Sequence, residues 1–367
     1  MRIVLAGGGS GGHLTPVVAV AKALVKSNPD INLHFVGLGH QMEKDLIGPL
    51  DIKMHKIVSG KMRRYSGRPF WENLLDLKVK LLNIWDFFKL IVGIILSIWL
   101  LLKLRPDRVF CKGGYASLPV GIAAWLLRKP LIIHESDAHI GLSNRILARL
   151  TPYRISGFDV SGFLNLGNPI REDITHPSSL GKSDFGITTD KPVVIVVGGS
   201  LGSSSINSVV SHLAEETDGF EIIHVAGEGK EEKNHLNHYH SYSFLGPELA
   251  GALQLADVVV ARAGANTLLE LAALGKAAII VPHPRLSGNH QYENAKIMAD
   301  KQAAILLPQD ELNIDNLQVM ITKVTQSPKY REELEKNIKE FANLSAADAI
   351  AGAILDPQIV FSGDSNG

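Results

Sequence analysis

Near its amino end the chain reads Ile3-Val-Leu-Ala-Gly7-Gly8-Gly9-Ser10-Gly11-Gly12-His13-Leu14-Thr15-Pro16, and this stretch decides the fold. Its first four residues predict a buried strand, and five of the next six are glycine. Thr15 and Pro16 suit the N-cap and the first position of a helix. A strand, a glycine turn and a helix in this order let backbone approach a ligand and direct free N–H groups at an anion.

The composition predicts a globular protein of two domains. The chain has 367 residues, of which 46% are hydrophobic and 20% charged, and its 37 basic and 37 acidic residues cancel. A zero net charge argues against a nucleic-acid partner. The single cysteine, Cys111, excludes an intrachain disulfide, which suits a reducing cytoplasm. The first apolar run has no basic leader, so we expect a strand there and not a signal peptide.

Short apolar runs alternate with helical patterns along most of the chain. They predict strands at 3–6, 33–37, 109–111 and 131–134, and again at 193–197, 222–226, 257–261 and 277–281. This alternation is typical of an α/β fold with doubly wound parallel sheets. We expect one domain at 1–166 and a second at 167–344. A helix near 345–356 is expected to pack back on the first domain, and 357–367 is expected to be a disordered tail.

One segment interrupts the alternation. Residues 61–68 are basic and predict a loop, whereas 74–104 predict a long apolar helix whose 13-residue stretch 90–102 carries no charge. A bilayer-spanning helix needs about 20 apolar residues. The segment therefore suits attachment to a membrane surface, where preceding basic residues favour anionic lipid. A buried core helix and a homodimer interface are the alternatives.

His13 is the titratable group of the glycine turn. A histidine changes charge near neutral pH, which makes His13 a candidate for moving protons. The spacing Gly7-x-Gly9-x-x-Gly12 also fits a dinucleotide fingerprint, which requires an acid at the end of the second strand. That strand ends in Gly37-Leu-Gly-His40, without an acid, which argues against a nicotinamide cofactor. A tight turn without a ligand is the alternative, and it needs fewer glycines.

The second half carries residues suited to a nucleotide. Gly198-Gly-Ser200 can hold a phosphate at a helix N-terminus. Arg262-Ala-Gly264-Ala-Asn-Thr267-Leu-Leu-Glu270 joins a strand end to a helix start. The Glu270 carboxylate can accept two hydrogen bonds from a ribose diol, or it can simply complement the helix dipole. Gln291 and Asn294 are three residues apart and share one helix face.

Together these motifs resemble the MurG family of glycosyltransferases, which move N-acetylglucosamine from UDP-N-acetylglucosamine to lipid I. The resemblance runs from Met1 to about residue 353. It also rests on Gly113-Gly-Tyr115, His134-Glu135, Gly141-Leu-Ser-Asn144, Gly167-Asn-Pro-Ile-Arg171 and Asn289-His-Gln291. It implies the GT-B fold, in which two Rossmann-like domains face each other across a cleft that holds the active site.

The resemblance implies a donor site for UDP-N-acetylglucosamine, mainly in the second domain. The residues on the nucleotide would be Leu245, against the uracil, and Arg262, Gly264, Ala265, Thr267 and Glu270. Those at the diphosphate would be Ser10, Gly11, Gly12 and Ser200. Those on the sugar would be Gln291 and Asn294.

The resemblance assigns the lipid acceptor to the first domain, with Tyr115, His134, Asn144 and Arg171 around it. His13 or Glu135 would act as the base for a muramyl 4-hydroxyl, which attacks the anomeric carbon opposite the departing UDP. An ordinary histidine pKa of about 6.5 suits this task. No Asp-x-Asp pair presents itself as a metal clamp. We therefore expect no metal site and no required cofactor, although a dissolved divalent cation can stimulate the reaction.

The chain departs from the family pattern at a few positions. Ser136-Asp137 follow His-Glu where the family often has Gln-Asn, and Leu201 follows Gly-Gly-Ser where it often has Gln or Arg. His290 stands where some members have Gln. We expect altered acceptor contacts at 136 and 137, and one fewer hydrogen bond to the phosphate or sugar at 201.

Two other interpretations stay open. A related GT-B enzyme, such as a UDP-N-acetylglucosamine 2-epimerase, needs no membrane surface, which the apolar helix argues against. A non-catalytic nucleotide-sugar-binding subunit at the membrane would need neither His13 nor Glu270. The favoured interpretation implies a peripheral protein on the cytoplasmic face of the plasma membrane. Its partners would be UDP-N-acetylglucosamine, lipid I and an anionic membrane surface, with other cell-wall synthesis proteins as further candidates.

Overall fold

The computed structural model describes residues 1–8, 11–61, 77–199, 202–231, 235–284 and 289–362. The chain divides into two compact units. The first comprises Met1–Ile170 together with the chain from Asn343 onward, and the second comprises Arg171–Pro284 and Asn289–Ala342. Each unit alternates strands and helices, as the sequence predicts.

The first unit contains the following elements before the chain passes to the second. Its strands are β1 Arg2–Ala6, β2 Asn32–Gly37, β3 Lys53–Lys56, β4 Arg108–Cys111, β5 Leu131–Glu135, β6 Arg154–Ser156 and β7 Leu164–Asn165. Its helices are α1 Gly11–Ser27, α2 Gln41–Ile47, α3 Leu77–Leu104, α4 Leu118–Leu126 and α5 Leu142–Leu147. A 3₁₀ turn, Gly48–Leu50, follows α2.

Among the described residues, the first unit has one parallel sheet in the order β3-β2-β1-β4-β5-β6-β7. The strand order reverses between β1 and β4, and such sheets bind ligands beyond the carboxyl ends of the strands at that point. The loop after β1 holds the glycine turn, and the loop after β4 holds residues 112–115. The fold therefore brings the two glycine loops of this unit to one place.

Both faces of this sheet are covered. Ile3 and Leu5 of β1 join a core with α1, whereas Val4 and Ala6 join a second core with α3 and α4. Successive side chains of a strand point to opposite faces, so the continuous apolar run at 3–6 is what a strand buried on both faces requires.

The second unit repeats this plan. Its strands are β8 Val193–Val197, β9 Glu221–Val225, β10 Tyr239–Tyr242, β11 Val258–Ala261, β12 Ala278–Ile280 and β13 Ile305–Leu306. Its helices are α6 Glu172–Thr175, α7 Ser204–Glu216, α8 Glu248–Leu255, α9 Ala265–Leu274, α10 His290–Asp300, α11 Ile314–Gln326 and α12 Pro328–Lys339, with a 3₁₀ turn at Lys182–Phe185. Its described strands form a parallel sheet in the order β10-β9-β8-β11-β12-β13, which reverses between β8 and β11.

The chain ends in two helices that belong to the first unit, α13 Ala346–Leu355 and α14 Pro357–Ser362. Ile350 and Ile354 of α13 enter the core that β1 shares with α1. The expected disorder of the tail is wrong for 357–362, because Val360 and Phe361 pack against the same core. The Phe361 ring lies 5.3 Å from that of Tyr153. Residues 363–367 lie outside the described part of the chain.

The helix after the first glycine turn begins earlier than predicted. It starts at Gly11, so Thr15 and Pro16 lie inside α1 and not at its start. An internal proline removes one backbone hydrogen bond and crowds the carbonyl four residues before it. Here that carbonyl belongs to Gly12, and glycine tolerates the backbone adjustment that the proline requires. Because α1 begins at Gly11, His13 lies on its first helical turn and not in a loop.

Helix α3 is the apolar segment, and it is buried along one face only. Leu100, Leu101 and Leu104 pack into the core with α4, and a Cβ on Gly93 would clash with the carbonyl oxygen of Val58. The opposite side is exposed, with Trp85 and Trp99 at 61% and 62%. Residues 81–104 are long and apolar enough to cross a membrane, with a mean hydropathy of 2.3. The predicted basic loop at 61–68 lies outside the described residues after Lys61.

Candidate active site

His13 lies beside the loop that follows β4. A Cβ atom added to Gly114 would come within 3.2 Å of the His13 Cδ2 and 3.4 Å of its Nε2. Gly114 has a φ of +76°, in the left-handed region that favours glycine. His13 as a residue is only partly buried at the carboxyl edge of the sheet, although its Nδ1 is buried. Of the predicted neighbours, Gly11 opens α1, Gly12 is exposed, and Ser10 lies outside the described residues.

A buried carboxylate lies at the end of β2, where the sequence predicts no acid. Glu43 of α2 is 1% exposed and accepts hydrogen bonds from the N–H groups of Leu38 at 3.1 Å and Gly39 at 2.6 Å. A Cβ on Gly8 would lie 2.5 Å from its Oε1. β2 itself ends without an acid, as the sequence shows, and Glu43 reaches its end from α2. The Glu43 oxygens bind the backbone of the loop after β2, and glycine at position 8 leaves room for the carboxylate.

His134 and Glu135, at the end of β5, are both buried. The His134 Nε2 donates to the carbonyl of Gly167 at 3.0 Å. Burial, and then the charge of Lys112, hold the pKa of His134 well below its ordinary value, so the ring is neutral. Glu135 is 4% exposed and accepts from the N–H of Gly141 at 2.9 Å and from Asn144 Nδ2 at 3.0 Å.

The predicted acceptor residues His134 and Asn144 therefore do not present their side chains to solvent. Asn144 is buried, and its Nδ2 also donates to the carbonyl of His134 at 2.9 Å. Burial, followed by the charge of Asp137, raises the pKa of Glu135, while the N–H of Gly141, Lys112 and Asn144 oppose that rise. These buried side chains shape the partly exposed loop 137–141 that follows β5.

Tyr115 differs from these buried residues because part of its surface is exposed. Its carbonyl accepts a hydrogen bond from Ser59 Oγ at 2.6 Å. Burial raises the pKa of its phenol, and the charges of Glu43 and Asp86 raise it further. The structure thus brings two partly exposed residues, His13 and Tyr115, together at the loop that follows β4.

Lys112 is a buried cation that the sequence reasoning missed. It follows β4 directly, is 1% exposed, and its Nζ donates a hydrogen bond to Ser136 Oγ. Burial lowers its pKa to about 8, against the opposing charges of Glu135 and Asp137. The sequence feature that could have identified Lys112 is its position between an apolar strand and Gly113-Gly114. A lysine at the inner end of such a loop has no room to extend into solvent.

Arg262 lies at the strand reversal of the second unit. Its Nη2 donates to Ser203 Oγ at 2.6 Å, Ser205 Oγ at 2.9 Å and Gln309 Oε1 at 2.8 Å, and its Nη1 donates to the Val281 carbonyl at 3.0 Å. Burial lowers its pKa to about 10, so it stays charged at neutral pH. Gln309 is a further residue that sequence reasoning missed, because it comes from a distant loop.

A polar cavity of ≈ 300 Å³ opens at the N-terminus of α7. It is lined by Gly202, Ser203, Ser204, Ser205, Arg262, His283 and Gln309. Free N–H groups of the first helical turn and the Arg262 guanidinium both favour an anion there. The predicted phosphate residue Ser200 lies outside the described residues, as does Leu201.

Glu270 pairs with Arg171 within the second unit. Arg171 Nε lies 3.3 Å from Glu270 Oε1 and 3.5 Å from Asp173 Oδ1. The Glu270 side chain is 15% exposed. Burial raises its pKa to about 7, opposed by Arg171 and reinforced by Asp173. This contact groups Arg171 with the predicted donor residues and not with the acceptor residues to which the resemblance assigned it.

The start of α9 leaves room for a ligand. Gly264 is its N-cap, with a φ of −69°, and an added Cβ would meet only Thr267 Oγ1 at 3.9 Å within 4 Å among the described residues. Neither backbone conformation nor protein packing therefore requires glycine at this position. Ala265 is the first residue of the helix and is buried. Leu245, predicted to lie against the base, is also buried.

Gln291 and Asn294 contact protein backbone in the structure. Gln291 Oε1 accepts from the N–H of His283 at 2.9 Å, and Asn294 Nδ2 donates to the carbonyl of Ala263 at 3.2 Å. Asn294 is fully buried, so its side chain shapes the turn before Gly264 and is not exposed to a sugar. Gln291 is only partly buried.

Comparisons with known proteins cover both units. The glycosyltransferase family 28 N-terminal domain matches residues 3–152, and the family 28 C-terminal domain matches residues 193–350. The crystal structure of Acinetobacter baumannii MurG superposes with a TM-score of 0.74 at 25% sequence identity, covering 96% of this chain and 99% of that one. This likeness confirms the predicted GT-B architecture.

Two relatives carry the name UDP-N-acetylglucosamine--N-acetylmuramyl-(pentapeptide) pyrophosphoryl-undecaprenol N-acetylglucosamine transferase. The protein from Legionella pneumophila (strain Paris) is 34% identical, over 96% of this chain and 96% of its own length. The protein from Bacillus cereus, whose name adds the numeral 2, is 32% identical, over 91% of this chain and 95% of its own. With both family 28 domains matched and nearly the whole length aligned, the chain belongs to the MurG family of N-acetylglucosaminyltransferases.

Proposed function

We propose that this protein transfers N-acetylglucosamine from UDP-N-acetylglucosamine to the 4-hydroxyl of N-acetylmuramic acid in lipid I. The product is lipid II for peptidoglycan synthesis. The observation that carries the proposal is the 34% identity to the Legionella pneumophila protein. The match covers 96% of each chain and therefore includes both the acceptor and the donor halves. The accessible loops at the two strand reversals are where this fold binds ligands.

The second unit binds the donor. Glu270 accepts hydrogen bonds from the ribose diol, and Arg171, 3.3 Å away, favours the ionised carboxylate that this requires. The open approach to Gly264 admits the nucleotide backbone, with Thr267 and Ala265 beside it and Leu245 below the base. Gln291 lies where the sugar enters. Arg262 and the α7 N-terminus supply positive potential for the diphosphate.

His13 is the base on the acceptor side. Both oxygens of buried Glu135 accept hydrogen bonds, Oε2 from Gly141 N–H and Asn144 Nδ2 and Oε1 from Asp137 N–H, whereas His13 is only partly buried. The 4-hydroxyl gives its proton to His13 as its oxygen attacks the anomeric carbon. The bond to UDP breaks on the opposite face, so the configuration inverts. Glu135 holds the loop 137–141, and Tyr115 borders the acceptor.

The leaving UDP gains charge as its bond to the sugar breaks. Preorganised N–H groups at the starts of α7 and α9 stabilise that charge more strongly in the transition state than in the ground state. This stabilisation involves no residue assigned to a metal ion. A dissolved divalent cation can add to it by pairing with the diphosphate.

Helix α3 attaches the protein to the cytoplasmic face of the membrane. Its exposed side carries Leu81, Ile84, Trp85, Phe87, Phe88, Ile91, Val92, Ile95, Trp99 and Leu102. An apolar surface of this kind needs another apolar phase. Lys89 and Lys103 lie 5.8 and 5.2 Å from the ring centroids of Trp85 and Trp99, and such pairs suit the boundary between lipid and water. The inner face of α3 stays in the core, so the attachment is peripheral.

A transfer assay tests the proposed function. The protein is incubated with UDP-N-acetylglucosamine labelled in the sugar and a short-chain lipid I analogue. Label should move to the lipid fraction only when both substrates are present. Label that stays in the water-soluble fraction, with the donor intact, would show a binding protein and not a transferase.

A further inference from the structure

Ser136 and Asp137, at which the chain departs from the family pattern, lie close to Lys112. The Lys112 ammonium is buried at the carboxyl edge of the first sheet and donates to Ser136 Oγ. A small hydroxyl at position 136 leaves room for this ammonium, and Asp137 adds a favourable charge. Desolvating an ammonium opposes folding, and a well-packed apolar side chain of similar size is often more stable. A buried cation at a ligand-binding edge therefore points to function.

Lys112 begins a chain of hydrogen bonds. Ser136 Oγ donates onward to Asn168 Oδ1 at 3.0 Å, and both residues are buried. His134 Nε2 also donates to the neighbouring carbonyl of Gly167. The two side chains together hold the segment 167–168.

The charges around Lys112 come from several elements. Glu135 and Asp137, on β5 and the loop after it, favour the ammonium, and neutral His134 lies on the same strand. On the neighbouring helix α1, the titratable group near this edge is His13. Burial outweighs the two carboxylates and brings the pKa of Lys112 to about 8. The ammonium is therefore present at neutral pH and is lost in mildly alkaline solution.

We propose that Lys112 is a positioning residue for the acceptor, which acts through Ser136 on Asn168 and through its charge on Glu135. Glu135 in turn holds Gly141 and Asn144 and thereby orders the partly exposed loop 137–141. Lys112 itself is buried and does not touch substrate. This inference rests on the proposed function, because the loop matters only if an acceptor binds beside it.

Lys112→Met tests the role by removing the charge and keeping the volume. Its kcat/KM for the lipid I analogue should fall about 10- to 100-fold, the effect of losing a hydrogen bond to a charged group. Its KM for UDP-N-acetylglucosamine should stay within about twofold, because Lys112 lies in the other unit. The wild type should lose activity above about pH 8 as Lys112 deprotonates, and Lys112→Met should show no such loss.

Three further variants complete the test. Ser136→Ala breaks the chain but keeps the ammonium, so the acceptor KM should rise while the alkaline loss remains. Lys112→Arg keeps its charge at higher pH, so the alkaline loss should move upward. Lys276→Met is the matched control: Lys276 is a partly buried lysine of the second unit whose Nζ donates to the carbonyls of Gln254 and Ala256. It should change neither the acceptor kinetics nor their pH dependence.

The outcomes separate the two proposals. A wild type that makes no lipid-linked product contradicts the proposed function, and the role of Lys112 falls with it. If the wild type is active and Lys112→Met has the same kcat/KM and the same alkaline loss, the role of Lys112 is overturned. The proposed function is not affected by that result. Should Lys112→Met fail to fold, Lys112→Arg decides, because an unshifted alkaline loss in that variant contradicts the proposal.

Discussion

Binding of the donor should become tighter as pH rises through 7, because Glu270 must be ionised to accept both ribose hydroxyls. Burial raises the pKa of this carboxyl to about 7, although Arg171 lies 3.3 Å away. About one tenth of the carboxyl is then ionised at pH 6 and about nine tenths at pH 8. If only the ionised form binds well, the affinity rises up to about tenfold, or ~1.4 kcal/mol.

Isothermal titration with UDP-N-acetylglucosamine at pH 6, 7 and 8 measures this effect. The sugar nucleotide is preferable to UDP, whose terminal phosphate itself titrates near pH 6. Glu270→Gln should remove the pH dependence, and Glu270→Ala should weaken binding at pH 8 by roughly 1.5–3 kcal/mol. Glu335→Gln is the matched control, since Glu335 pairs with Arg331 at 3.8 Å in the same unit.

Equal wild-type affinities at pH 6 and pH 8 would refute the reasoning. So would a Glu270→Gln variant that keeps the full pH dependence, because another group would then be responsible. A Glu335→Gln variant that loses the pH dependence would show that charge anywhere in this unit produces the effect. Proton release on binding at pH 7, measured in buffers of different ionisation enthalpy, gives an independent check of the sign.

The remaining predictions concern the first unit. His13→Ala should lower kcat by about 10² to 10⁴ with UDP affinity unchanged, as steady-state kinetics and titration will show. Gly114→Ala should lower both kcat and the unfolding temperature, because its Cβ meets the His13 ring and a φ of +76° strains alanine by about 1–3 kcal/mol. Wild type should float with anionic liposomes, less so at high salt. A variant with Ile91, Ile95 and Trp99 changed to Ser should stay in solution and still bind UDP; equal flotation would place the membrane contact elsewhere.

The central strands of both sheets could be predicted from the sequence. β1, β4, β5, β8, β9 and β11 are apolar runs, all but β5 followed closely by glycine, and a strand buried on both faces needs such a run. Two edge strands, β3 and β10, were not predicted because they lack such an apolar run. β3 reads Lys53-Met-His-Lys56 and β10 reads Tyr239-His-Ser-Tyr242. Residues of an edge strand are less buried than those of a central strand, so the strand does not need a continuous apolar run and its sequence does not show one.

The residue types at the candidate site could also be predicted, but their accessibility could not. His13 and Glu270 follow from local motifs, since a glycine turn and a helix start define where their side chains lie. His134, Asn144 and Asn294 look equally suitable in the sequence, yet all three are buried and bind backbone carbonyls. Polar side chains that support a loop and polar side chains that bind a ligand give the same pattern in the sequence.

Glu43 and Lys112 could not be assigned because their partners are distant in the sequence or set by three-dimensional packing. Glu43 reaches the glycine turn only because α2 folds against the end of β2. Lys112 meets Ser136 across two neighbouring strands, β4 and β5. Arg171 meets Glu270 across about a hundred residues of chain. Contacts of this kind follow from the topology, which becomes known only after the fold.

The linkage in the purified product tests the central claim most directly. The wild-type protein is incubated with UDP-N-acetylglucosamine and the lipid I analogue, and the product disaccharide is analysed by mass spectrometry and by NMR of its anomeric proton. An inverting transfer to the muramyl 4-hydroxyl predicts a β-1,4 linkage. An α linkage, a bond to another hydroxyl, or an epimerised sugar nucleotide without any disaccharide would contradict it.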